Sequence, residues 1–574
     1  MPQPMEETVP GAALSAAILP VTPLPPPRQR SPMLAPLGGR TFRTIWSASL
    51  ISNFGQLIQG VGAAWAMTRM SSDPTMVALV QTAIMLPLML VAMPAGAIAD
   101  MFDRRKVALV GLAFACVSAA ALTTCALAGL LTPWLLLAFC FLIGTGVALY
   151  GPAWQSSIGE QVPSEQLPAA IALGSISYNI ARSFGPAIGG VIVAALGSVA
   201  AFGVNALAYL PLMVAMALWR RTPTPSRLPP ERIDRAIISG ARYVIHSPPI
   251  RIILIRTLVS GIVGASISAL TPLIAKDLLG GGASTYGLLL GTFGVGSVVG
   301  ALFIARVRGR VDPEVGVRGC ALLAGAMIAV VGASRNLWLT GAALLFAGAA
   351  WTLLVALFNV GVQLSAPRWV TARAVAWFST AITGGIAFGA WLWGQVAAAH
   401  GVGTAMTVSG ILIMLTPLLG VLLPMPKIAG AEVDIGERGH APAVALALTN
   451  RSGPINIEVD YRVDPADARA FYDAMQGVRR ARLRSGGFEW SLARDIEDPA
   501  LWTERYHCPT WGDYLRQRTR ATQSDDEAQA RAEAFNSAAP GDRVRRRLER
   551  PFGSVRWRAD TPDPQGDAVT PYPS

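Results

Sequence analysis

The chain has little charge. Asp, Glu, Lys and Arg make up only 14% of its 574 residues and hydrophobic residues 52%, where a soluble globular chain carries roughly 25% charged residues. Together with a mean hydropathy of +0.45, that excludes a soluble enzyme over most of the length, and it excludes a disordered chain. Cysteine is scarce too. Cys116, Cys125, Cys140, Cys320 and Cys508 form no CxxC pair, and four of them lie in apolar stretches, where they read as small hydrophobes. The four histidines, His246, His400, His440 and His507, are scattered, so neither a metal site nor a cofactor is expected. No GxxxxGK[ST] run occurs, so nothing points to ATP use. The start of the chain lacks the charged, then apolar, then small pattern of a cleaved signal.

The positive charge that is present is unevenly placed. Residues 1–424 hold 25 Lys and Arg against 12 Asp and Glu, while residues 425–574 hold 22 against 23. The net charge of +12 therefore belongs to the hydrophobic part. It reads as membrane topology rather than a nucleic-acid footprint, and no nucleic-acid partner is expected.

A membrane span needs about 20 mostly apolar residues. Twelve segments qualify, near 44–68, 76–99, 106–130, 134–157, 169–195, 199–219, 252–275, 284–305, 318–334, 337–362, 374–398 and 403–424. The basic residues between them alternate. Arg28, Arg30, Arg40 and Arg43, then Arg104, Arg105 and Lys106, then Arg220 to Arg251, then Arg306, Arg308, Arg310 and Arg318, then Arg368 and Arg373 fall on one side; only Arg69, Lys276 and Arg335 fall on the other. This bias puts both termini in the cytoplasm of a multi-pass protein of the cell membrane, with the lipid bilayer as its first partner.

An offset of 204 residues superimposes the two halves without a gap. Gly96 falls on Gly300, Arg104 on Arg308, Lys106 on Arg310, Trp134 on Trp338, Pro163 on Pro367, Gly185 on Gly389 and Gly190 on Gly394. Repeated halves are a common transporter design. The expected organisation is a disordered Pro-rich leader at 1–40, a six-helix half at 41–220, a cytoplasmic central loop at 221–250 and a second six-helix half at 251–424. A linker at 425–452, an α+β domain at 453–559 and a disordered tail at 560–574 follow. The fold class is thus an all-α membrane protein of twelve helices in two pseudo-repeats, with a C-terminal α+β cytoplasmic domain.

Several residues stand out within the spans. Asp100 closes the second span next to the basic cluster, where a carboxylate can pair with that cluster and face a helix N-terminus. Gly185, Pro186, Gly189 and Gly190 make a small-residue surface that lets helices approach closely. Asn53, Gln56 and Gly60 fall at helical spacing on the first span, with Gln59 close by, and suggest a wetted stripe. Gln81, Tyr150, Gln155, Asn179, Asn359 and Gln363 are further polar candidates for a cavity, and each also suits an interhelical hydrogen bond. Arg182 lies halfway along the fifth span, where a charge faces a cavity or a partner. Trp351, Trp377, Trp391 and Trp393 could line a cavity or belt the interface.

Twelve spans, two halves and a basic central loop resemble the major facilitator superfamily. The run from Gly96 through Asp100 to Arg104, Arg105 and Lys106 is similar to that superfamily's cytoplasmic gate motif, with Met101 departing from the usual basic residue; the second-half copy keeps Gly300 and Arg308 but has Ile304 in place of the Asp. Arg182 to Gly190, with Gly185-Pro186, is similar to the Gly-Pro motif of its exporter branches. The stretch from Gly151-Pro152-Ala153-Trp154-Gln155 to Gly190 most resembles the transmembrane secretion effector group, which includes the enterobactin exporter. The resemblance implies a secondary transporter, an exporter of a small-molecule substrate such as a siderophore, drug or secondary metabolite. The resemblance further implies alternating access and coupling to protons, although no midplane carboxylate shows itself as their carrier.

After residue 452 the sequence turns charged and aromatic. Alternation predicts strands at Ile455–Val463, Phe488–Ile496, Leu501–Cys508 and Arg543–Glu549, with helices to Arg484, from Trp511 to Thr522 and over Asp525–Asn536. The order β-α-β-β-α-β suggests a ferredoxin-like fold. The run from Arg484 to Trp490, with Trp511 and the Arg516, Arg518 and Arg520 helix, resembles the tail of the secretion effector group. That tail is similar to the dimeric barrel of antibiotic-biosynthesis monooxygenases, which implies dimerisation through this domain. His507, Trp511 and Tyr514 read either as a small active site or as core and surface residues. Two other functions stay open: a membrane receptor or regulator without transport, and an enzyme in the tail.

Overall fold

The structure, a computed structural model, describes residues 33–219, 241–367, 370–426, 444–446, 448–519, 521–537 and 543–549. Most of the expected leader, most of the central loop with Arg220, Arg221, Arg227, Arg232 and Arg235, much of the linker and the last segment lie outside these residues.

The chain is mostly helical. In order come α1 (Arg40–Met70), α2 (Pro74–Met101), α3 (Arg104–Leu127), α4 (Pro133–Ser157), α5 (Leu167–Leu218), α6 (Pro248–Gly264), α7 (Ser266–Leu273), α8 (Ala283–Arg310), α9 (Pro313–Ala333), α10 (Leu337–Leu364), α11 (Thr371–His400) and α12 (Val402–Leu415). The sequence sets the starts of several of them. Asp73, Thr132 and Asp312 cap α2, α4 and α9 with their side chains, each followed by Pro at the first helical position. That pairing satisfies one orphan N–H and removes another.

Among the described residues ten helical stretches are long and apolar enough to cross a membrane. Two facts bear on the crossings beyond that number. The amide-bearing α1 is 31 residues long and stands outside the ten. Helix α5 has 52 residues, about 78 Å at 1.5 Å per residue, against a hydrocarbon core of about 30 Å. It breaks at Gly197, whose φ of 82° belongs to the left-handed side that glycine tolerates.

The tail carries a small antiparallel sheet in the order β2-β3-β1-β4. Its strands are β1 (Ile455–Arg462), β2 (Phe488–Arg494), β3 (Leu501–Cys508) and β4 (Val544–Leu548). Helices α13 (Ala468–Arg484), α14 (Trp511–Thr519) and α15 (Gln523–Glu533) complete it. Alternate residues of β1, Ile455, Ile457, Val459 and Tyr461, face Phe471, Met475 and Val478 of α13 in one core, the period-2 and period-3.6 faces meeting as their patterns require. Leu448 joins that core. The Ser452 and Asn450 carbonyls accept from Trp511 N at 2.6 Å and Gly512 N at 3.1 Å. The packed tail thus begins inside the segment expected as a linker, because its first turn is tied down by backbone bonds. The tail also touches the membrane body: Arg242 Nη1 donates to the Gly486 carbonyl at 3.0 Å, and Arg484 lies over the Tyr243 ring at 5.4 Å.

Candidate functional site

A cavity of about 310 Å³ lies among α1, α2, α4, α5, α7 and α8, the lower end of the range for small-molecule sites. Asn53 and Gln56 of α1 and Gln81 of α2 line it; Gln59, Tyr178, Asn205 and Tyr286 line it too. Among the described residues no charged side chain lines it. Asn205 donates to Gln59 across α5 and α1, and Asn53 donates to Ser177 Oγ at 3.3 Å. Apart from Ser268 the remaining wall is apolar, with Leu57, Val77, Ile84, Met85, Leu88 and Pro272. The sequence candidates do not include Tyr178, Asn205 or Tyr286. An intramembrane Asn is itself a signal, but Asn205 sits late in the long α5 run, away from every motif.

The other expected cavity residues lie elsewhere. Arg182 is half-buried with its guanidinium over the Phe293 ring of α8 at 5.9 Å; it stands at a helix seam and is absent from the cavity wall. Tyr150 is buried and stacks on Trp154 at 6.3 Å. Asn179 donates back to the Ser175 carbonyl at 2.9 Å on its own helix. Gln363 donates to Asn359 one turn away, and Gln155 is exposed near the end of α4. Of the tryptophans, Trp351 is buried with its ring on Gly264, and Trp393 Nε1 donates to the Ile262 carbonyl at 2.9 Å. Trp391 is exposed and Trp377 half-buried.

The basic cluster ties α3, the end of α4 and the end of α5 together within the first bundle, α1 to α5, as distinct from the second, α6 to α12. Asp103 caps α3, accepting from Arg105 N at 2.9 Å and Lys106 N at 3.3 Å. Arg104 pairs with Glu160 and donates to the Ser156 carbonyl, both at 3.0 Å. Arg105 donates to the Met216 carbonyl at 3.0 Å and to the Ala217 carbonyl, a cation on the free C-terminal carbonyls of α5. Lys106 is exposed. Gly96 and Asp100 lie in the last turns of α2; the Asp100 side chain lies outside the described residues. A matching cluster in the second bundle had no sequence signal: Arg256 of α6, 3% exposed, grips Glu314 of α9 at 2.6 and 3.2 Å, and Glu314 also accepts from Met425 N at 2.8 Å.

The small residues of α5 work on two sides. A Cβ on Gly185 would stand 3.0 Å from Leu57 Cβ, and one on Gly189 would stand 3.1 Å from Ile58 Cα, both on α1. A Cβ on Gly190 would stand 2.7 Å from Gly287 Cα on α8, and Pro186 lends its carbonyl to the same contact. Their 204-residue counterparts repeat the division of labour. Gly389 abuts Ala265 beside α6, and Gly394 faces Ala78 and Thr75 of α2.

Contacts between the two bundles run along these seams. Thr82 Oγ1 donates to the Ala387 carbonyl at 2.8 Å and Ser183 Oγ to the Gly294 carbonyl at 3.2 Å. At the end away from Arg104–Lys106, Lys276 Nζ donates to the Thr68 carbonyl at 2.7 Å and Trp65 stacks on Tyr286 at 6.4 Å. These contacts bridge the two bundles and cap the cavity at its Tyr286 end; at the other end the contacts of Arg104, Arg105 and Arg256 among the described residues each stay within one bundle.

In the tail, His507 is buried between Glu489 at 3.4 Å and Glu549 at 3.1 Å. Trp511 and Tyr514 are buried and face each other at 5.3 Å. Burial pushes the Cys508 thiol up to about 12, so it stays protonated and unreactive.

The sequence profile of the transmembrane secretion effector family matches residues 31–552. The chain is 24% identical over 402 residues to the multidrug efflux pump Tap of Mycolicibacterium fortuitum, covering 68% of this chain and 96% of that one. It is 24% identical over 268 residues to the staphyloferrin A transporter of Staphylococcus aureus, covering 46% of this chain and 66% of that one. Among solved structures, it shares its fold with a bacterial homologue of the human lysosomal transporter Spinster in an inward-facing, unoccupied conformation. The TM-score is 0.56 at 13% identity, over 67% of this chain and 96% of the other.

Proposed function

With the chain belonging to the transmembrane secretion effector family of major facilitator transporters, which are not enzymes, we propose that it exports amphipathic small molecules without a localised charge. The observation that carries this is the cavity wall, which mixes amides with apolar side chains and has no charged lining residue among the described residues. An anionic cargo bound there would be desolvated without a counter-charge, whereas amides orient a neutral polar group at little cost. This favours drug-like cargo over carboxylate-rich siderophores.

The proposal has a topological part. Splitting α5 at Gly197 and counting α1 gives twelve crossings in two six-helix halves, and the paired jobs of Gly185 and Gly389 and of Gly190 and Gly394 support the pseudo-repeat. The basic end is cytoplasmic, so the cavity is capped on the outer side, and the Gly96–Lys106 run acts as the inner gate. Coupling to protons belongs to the proposal through the family. With no carboxylate on the cavity wall among the described residues, its carrier is sought at the ion-paired Glu160 and Glu314. The β2-β3-β1-β4 order supports a ferredoxin-like tail, and self-association would use its outer sheet face.

Energised inside-out vesicles test the reading. Accumulation of a neutral lipophilic dye, its loss on dissipating the proton gradient and a severalfold fall with Gln81→Ala are expected. Gradient-insensitive background uptake, or preference for a tricarboxylate cargo, would overturn it.

A further inference from the structure

The tail sheet has an unusual inner face. Along β4, Arg545 and Arg547 point outward and pair with Asp460 and Glu458. Arg546, between them, points the other way: it lies across from Ile457 of β1 and borders a cavity of about 130 Å³ between sheet and helices. A sheet face packed on helices takes apolar residues, and an unpaired cation there is costly. Arg546 is nevertheless held in place, its Nε donating to the Tyr514 hydroxyl at 2.7 Å.

The charges around this cavity do not cancel. Arg482 borders it but is neutralised by Glu504, fully buried and bound at 3.0 and 3.3 Å. Tyr461 and Trp490 also donate to that carboxylate, at 3.1 and 2.9 Å. Glu533 borders the cavity as well and pairs with Arg543 at 2.9 Å. Arg518 of α14 and Arg546 remain, and no carboxylate pairs with either among the described residues. The Tyr506 ring, buried against Arg482 at 5.0 Å, completes the wall.

We propose that the tail binds a small organic anion in this cavity, its carboxylate or phosphate group held by the guanidinium groups of Arg518 and Arg546. Arginine forks match such groups and bind them bidentately. The cavity is well under the ~300 Å³ of drug-sized sites, so the ligand has few heavy atoms and differs from the cargo of the membrane cavity. The tail is in contact with the membrane body through the end of α13, two residues beyond Arg482, where Arg484 meets Tyr243 and Gly486 accepts from Arg242. Occupancy of the tail site can therefore be felt at the start of the second bundle. The proposal stands independently of the export reading.

Calorimetric titration of the full-length protein in detergent tests it. Succinate, inorganic phosphate and the neutral succinamide are the probes, at matched NaCl. Saturable heat with succinate or phosphate and none with succinamide is expected; whichever anion binds more tightly identifies the group recognised. Arg546→Gln and the half-exposed Arg518→Gln should each weaken binding about tenfold or more. Arg545→Gln, on the opposite face of the same strand, should leave it unchanged. No saturable heat above the NaCl control, or equal loss with Arg545→Gln, would overturn the site.

Discussion

At the scale of residues, the polar side chains divide into those that face space and those that serve helix contacts. The amide stripe of α1 was legible because its spacing matches one helical face, and Asn53 and Gln56 do meet the cavity. Arg182 was not legible in the same way. Its depth announces a special environment, but sequence spacing cannot say what lies across the gap, and Phe293 of α8 supplies the aromatic face. Cation–π contact stabilises by about 0.5–2 kcal/mol, which offsets part of the cost of a guanidinium in a span. The Arg256–Glu314 pair is the sharpest case. It joins residues 58 apart in sequence, and neither belongs to a motif. Removing one partner strands a buried charge, at a cost of about 3–5 kcal/mol, whereas an apolar replacement of both is far milder. Glu314→Gln should lower the melting temperature in detergent by many degrees, and Arg256→Met with Glu314→Leu should recover most of the loss. Equal melting of the single and double variants would show that the pair is not the source.

At the scale of elements, the apolar runs were readable but their ends less so: the run expected from 318 starts at Pro313, where Asp312 caps the helix. Helix contacts were readable only where glycine marks them. Gly190 and Gly287 allow α5 and α8 to touch at backbone distance, and such small-residue contacts carry much of the helix association within a bilayer. Gly190→Leu has no room to shift, since its neighbours there are Gly287 and the Ala283 carbonyl backbone. The variant should part α5 from α8 and open the capped end of the cavity. Thiol labelling of Tyr286→Cys from the far side should then rise severalfold over the Gly190 parent, and unchanged labelling would mean that the seam is not what keeps this end shut. The tail sheet was legible through period-2 alternation. Its inner-face arginine was not, since Val544 to Leu548 reads simply as a basic strand.

At the scale of the whole molecule, the low overall charge averages a sparse membrane body and a charge-rich tail. The positive excess lies in the body, where basic clusters fasten helix ends. Two bundles meet along the α2–α11 and α5–α8 seams, with the cavity between them capped at one end. The central claim is that transport requires this cap to open and close. It is tested most directly by joining the bundles there: Thr68→Cys with Lys276→Cys, in a chain whose native cysteines are replaced, treated with a short bismaleimide in transport-competent vesicles. The account predicts that cross-linking stops gradient-driven dye accumulation while Lys276→Cys alone, equally treated, retains it. Undiminished accumulation by fully cross-linked protein would contradict the account.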